Sequence, residues 1–75
     1  MNNKRRKEVT EIIDCLSGIR DELDVMRDEE QDAHDNLPES LRNSEGGQAV
    51  QKAATALDSA KNNIKNAVGD LSGLI

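Results

Sequence analysis

The chain contains no Phe, Tyr or Trp, one cysteine, one proline and no long apolar run. Each shortage excludes something. Aromatic side chains bury the most area per residue, so without them Leu, Ile, Val, Met and Ala must build any core. Cys15 alone cannot form an intrachain disulfide, and no cluster of Cys and His is available for structural zinc. No stretch approaches the ~20 apolar residues of a membrane span. The basic run Lys4, Arg5, Arg6 and Lys7 leads into polar sequence, not into the apolar core of a signal peptide. A lone thiol without a secretion signal fits a reducing cytoplasm. A single domain of 75 residues is marginally stable unless something staples it. With disulfides and metals excluded, association with a further copy is the remaining staple.

What is present is helical periodicity. From Val9 the apolar residues alternate by three and four: Val9, Ile12, Leu16, Ile19, Leu23 and Met26, then Glu30, Ala33 and Leu37. With Val9 at heptad position a, Leu16, Leu23, Glu30 and Leu37 are also a, while Ile12, Ile19, Met26 and Ala33 are d. Such a repeat marks a helix packed along a coiled-coil-like seam. Ile13, at e, widens the stripe as a bundle requires. Helix one is predicted over about 5–36. Pro38 ends it by forcing Leu37 out of the α region, with Asn36 as a cap and Pro38 in the first turn of a short helical segment, PESLRN. The linker covers about 37–46 and closes on Ser44, Glu45, Gly46 and Gly47, a capping residue with two permissive glycines.

Helix two, about 47–71, repeats the pattern with Val50, Leu57, Ile64 and Leu71 at a and Ala53, Ala60 and Ala67 at d; Val68 joins the stripe. Small residues every seven positions allow a facing backbone to come close. Folding back at Pro38 brings Ile64 near Leu23 and Leu71 near Leu16. The fold class is therefore all-α: an antiparallel helical hairpin in one domain, 1–75. Two such helices leave half of each stripe wet, which argues for a dimeric four-helix bundle or a higher homo-oligomer. Its core would comprise Val9, Ile12, Ile13, Leu16, Ile19, Leu23, Met26, Val50, Leu57, Ile64, Val68 and Leu71.

Several polar features invite a functional reading. Lys4, Arg5, Arg6 and Lys7 oppose the dipole of the helix they begin; with Arg20 they are candidate phosphate contacts. The alternative is a solvated end lying beside the negative end of helix two. Glu30 and His34 share a face one turn apart, but the Glu-x-x-His spacing of bundle metal sites is missing, so no metal and no cofactor is assigned. Glu30, at a core position, fits a register-setting polar residue, with Lys61, Lys52 or Arg27 as its counter-ion. Arg20, Arg27 and His34 at e, with Glu22 and Glu29 at g, resemble the layout of ion pairs between helix one and another copy of itself. Cys15 reads as a buried structural thiol, since no His accompanies it. No catalytic set emerges, and the chain reads as a non-enzyme.

Asp35-Asn36-Leu37-Pro38-Glu39-Ser40, followed by Ser44-Glu45-Gly46, resembles the linker of small uncharacterised helical proteins from phages and prophages of Firmicutes. The likeness spans roughly residues 21–60, and the DNLPES segment carries it; Gly46 stands where that pattern has Arg. The resemblance implies a phage origin, a helical hairpin and a bacterial host's cytoplasm. It supplies no catalytic residue. Three function classes follow: an oligomeric protein acting on a host protein, a protein sequestering a host signalling nucleotide between subunits, and an acidic mimic of DNA. The net charge of −5 disfavours binding to nucleic acid itself.

Overall fold

The computed structural model describes residues 1–75 as three helices: α1 (Asn3–Asp35), α2 (Glu39–Arg42) and α3 (Glu45–Ser72). The long helices α1 and α3 pack antiparallel in a rod of 58 × 14 × 13 Å. Its radius of gyration is 17.1 Å, against ~11 Å for a compact domain of this length.

α1 starts earlier than the basic run suggested, because Asn2 caps it: its Oδ1 accepts the Arg5 N–H at 2.7 Å. That bond satisfies one of the orphan donors of the first turn. At the other end Asn36 does not cap the following segment. It closes α1 in an αR conformation, its N–H donating to the Asp32 carbonyl at 3.0 Å. Pro38, extended at φ −55° and ψ 146°, occupies the cap position of α2 and not its first turn. Arg42 then folds back: its guanidinium donates to the carbonyls of Leu37 at 3.2 Å and Asp35 at 3.1 Å. A cation thus meets carbonyls at the negative end of α1.

α3 begins at Ser44, whose Oγ accepts the Gly47 N–H at 3.1 Å. The glycines here are not needed for backbone freedom, since none has a positive φ. Gly47 is needed for space. It is buried, and a Cβ on it would strike the carbonyl oxygens of Leu41 and Arg42. The neighbouring Gly46 is open, with only Ser44 Oγ at 4.0 Å. A Cβ on Gly18 would meet nothing within 4 Å, and α1 runs through it unbroken.

The seam between α1 and α3 is rotated from the a/d pattern. The half-buried line on α1 runs through Val9, Ile13, Leu16, Arg20, Leu23, Arg27, Glu30, His34 and Leu37, which are positions a and e. On α3 it runs through Val50, Ala54, Leu57, Lys61, Ile64, Val68 and Leu71, with the d alanines Ala53, Ala60 and Ala67 half-buried beside it. Val9 and Ala54 are the only buried side chains. The alanine at the closest approach is therefore Ala54, beside the predicted d series of Ala53, Ala60 and Ala67. Cross-helix contacts join Arg27 to Asp58 and Lys61 to Asp24. This register lies within about half a turn of the expected pairing of Ile64 with Leu23.

Candidate functional site

The rotation gives the hairpin two unlike broad faces. On one, positions b and e of both helices converge. The Arg27 guanidinium bonds Asp58 at 2.7 Å across the hairpin, and Asp24 and Asp28, both at 2.8 Å, on its own helix. Lys61 Nζ lies 3.2 Å from Asp24 and 3.3 Å from Asp58. The two cations are largely covered, at 27 % and 19 % exposure, by this shared set of carboxylates. Burial acts to lower the Arg27 pKa, but the hydrogen bond with Asp28 and the charges of Asp28, Asp24 and Asp58 raise it overall. Hydrogen bonds to Asp24 and Asp58 raise that of Lys61, against burial and the nearby Arg27. Beside the network lies a shallow groove of about 280 Å³ lined by Arg20, Asp21, Asp24, Lys61 and Lys65.

This face absorbs residues that the sequence suggested for other work. Arg20, Arg27 and His34 turn toward α3 of their own chain, so position e is spent within the hairpin and not on a second copy of helix one. Arg27 and Lys61, expected as counter-ions of Glu30, are committed to aspartates; Glu30 is half-buried and forms no ion pair. The candidate phosphate contacts are not one site within a chain. Lys4, Arg5, Arg6 and Lys7 are exposed in the first turns of α1, where Arg5 bridges Glu8 at 3.1 Å. Arg20 lies about 20 Å further along at 1.5 Å per residue, paired with Asp21 at 3.2 Å. His34 is 18 % exposed, its Nδ1 buried without a hydrogen-bond partner and 3.5 Å from Asp35. No three side chains of His, Cys, Asp or Glu are grouped to hold a metal.

The opposite face is apolar and open. Ile12, Ile19 and Met26 are 51 %, 45 % and 47 % exposed. These are the d positions of α1. Because b and e of both helices meet on the polar side, d of both must lie on the other. The same surface therefore carries Ala53, Ala60 and Ala67 of α3. Its outer edge on α1 is position g, with Glu8, Cys15, Glu22 and Glu29. Cys15 is exposed, contrary to the buried thiol expected, because the seam turns away from g. It joins Glu8, Glu11, Ile12 and Leu16 around a groove of about 440 Å³.

Sequence reasoning missed Asp24 and Asp58 as the anchors of the cross-helix network. Their signal was available: Asp24 precedes Arg27 by three residues and Asp58 precedes Lys61 by three, a spacing that puts each pair on one helical face. No helix is long and apolar enough to cross a membrane. Comparison with protein-family models, curated proteins and solved structures finds no match.

Proposed function

We propose that this chain is a non-enzymatic interaction protein that works as a homo-oligomer, burying its apolar face between copies and acting on another protein through the assembled surface. The observation that carries this reading is the row Ile12, Ile19 and Met26, each about half exposed on a hairpin that buries only two side chains and none of them completely. A fold with so little core of its own gains most from a partner layer. If the linker resemblance holds, the target belongs to a bacterial host and the protein to a phage. Native mass spectrometry tests the first half: a dimer or larger assembly is expected, and a folded monomer at micromolar concentration refutes it.

A second reading, sequestration of a signalling nucleotide, draws support from Arg20, Lys61 and Lys65 lining one groove. Lys65 makes no ion pair there, whereas Lys61 and Arg20 are already engaged. Thermal melts with a panel of nucleotides separate the readings. A sequestering protein is stabilised by one of them, and an interaction protein by none.

A further inference from the structure

The apolar face is built unequally, and the inequality selects how a second copy can sit on it. Its α1 half carries the large side chains Ile12, Ile19 and Met26; its α3 half carries Ala53, Ala60 and Ala67. The outer edge of the α1 half is acidic through Glu8, Glu22 and Glu29, whereas that of α3 is Ala49, Ala56 and Asn63, with a single acid, Asp70, near its end. The chain exposes 5401 Å², against roughly 4,500 Å² for a globular monomer of this mass. The excess of about 900 Å² is close to the ~800 Å² per partner that a stable interface buries.

Resting on the self-association proposed above, we infer that the occupant of this face is a second copy of the chain, arranged so that α1 of each hairpin lies over α3 of the other. The two-fold axis then runs along the rod and both Pro38 linkers lie at one end. Stacking α1 on α1 instead sets Ile and Met against Ile and Met while the two α3 helices meet through alanine alone, leaving the layers unevenly spaced. It also aligns the glutamate edges of the two α1 helices, like charge against like. The crossed arrangement sets Ile19 and Met26 against alanine and places the neutral stretch from Ala56 to Asn63 of one copy beside Glu22 and Glu29 of the other. A two-fold axis along the rod preserves height, so the Asp24–Lys61 register carries over between copies. Ile19 then meets the partner's Ala67, and Met26 meets the partner's Ala60. One consequence is that Lys4, Arg5, Arg6 and Lys7 of both copies gather at the end opposite the linkers.

The test uses spin labels on the full chain in a Cys15→Ser background, at Glu39→Cys in α2 and, separately, at Lys4→Cys; both sites are exposed. Pulsed dipolar spectroscopy should give a short distance at both sites, below roughly 35 Å including label length, since helices of one bundle lie 8–10 Å from their neighbours. Two long distances near the rod length of 58 Å would overturn the arrangement while leaving self-association standing. A short distance at Glu39 with a long one at Lys4 would mean end-to-end contact through the linkers and also overturn it. A monomeric mass with no dipolar signal would overturn both the inference and the function on which it rests.

Discussion

Gly47→Ala should be the most damaging single-methyl change in the chain. The added Cβ would collide with the carbonyl oxygens of Leu41 and Arg42, which are backbone atoms and cannot rotate aside. Relief requires α2 to move from the start of α3, and overpacking of this kind costs about 1–3 kcal/mol. The movement also stretches the Ser44 Oγ to Gly47 N–H cap of 3.1 Å, and losing a cap costs about 1 kcal/mol. Against these stands the helix preference of Ala over Gly, about 1 kcal/mol in the other direction. The net loss is roughly 1–3 kcal/mol, or a fall in Tm of about 5–20 °C for a domain of this size. The absence of aromatic residues removes intrinsic fluorescence as a probe, so melting is followed by far-ultraviolet circular dichroism at one fixed chain concentration. Gly46→Ala and Gly18→Ala are the controls. Their Cβ atoms meet only Ser44 Oγ at 4.0 Å and nothing, respectively, so each should stabilise by about 0.5–1 kcal/mol. A Gly47→Ala protein that melts at or above the parent temperature refutes the packing argument for the linker.

Three further perturbations address other parts of the molecule. Met26→Glu places a charge in the middle of the open apolar face, where Met26 is 47 % exposed; the oligomer should dissociate at concentrations where the parent stays assembled, and unchanged sedimentation counts against the interface. Arg42→Ala frees the Asp35 and Leu37 carbonyls and should lower stability by about 1 kcal/mol in urea melts, since a typical net hydrogen-bond contribution is of that order; a change indistinguishable from zero means the contact is idle. Folding raises the Lys61 pKa above 10.5, so its ion pairs contribute in full below that value and fade as pH climbs through the higher folded one. Stability of the parent should therefore decline in that alkaline window and that of Lys61→Met should decline less; equal slopes for the two proteins exclude the linkage.

The hairpin itself was legible because its signals are local. Pro38 stops one helix, Ser44 caps the next, and the three-four alternation of Val9, Leu16 and Leu23 marks the inner stripe whichever way the helix turns. The details that escaped depend on competition between faces. An apolar stripe at a and d has two edges, and sequence alone does not say which edge a single neighbouring helix will take. Four residues settled it here. Arg27 and Lys61 at e pair with Asp24 and Asp58 at b within each helix in any case, but they pair across the hairpin, at 2.7 and 3.2 Å, only when the two helices meet on that side, which favours a seam turned toward e. Cys15 and Ile12 are carried outward by the same rotation. The Asn2 cap was overlooked for a different reason: the unfavourable charge of Lys4, Arg5 and Arg6 near a helix start obscured a short side chain well suited to hold it.

That competition also explains why the sequence suggests a bundle where the isolated chain is a hairpin. Had the a/d stripe been made for one partner helix, the hairpin would have used it, and Ile12, Ile19 and Met26 would lie inside. Instead α1 and α3 meet along a and e with the polar network on one side, leaving the d residues of α1 about half exposed and the smaller d alanines of α3 half-buried at the edge of the seam. Three large apolar residues at strict seven-residue spacing, on the same face as three alanines at that spacing, are costly to leave in water, and the hairpin covers only about half of each. Their periodicity is what the proposed second helical layer would use. The ion network therefore spends the e positions within the chain and leaves the d residues of α1 open, the surface on which the proposed second copy would sit.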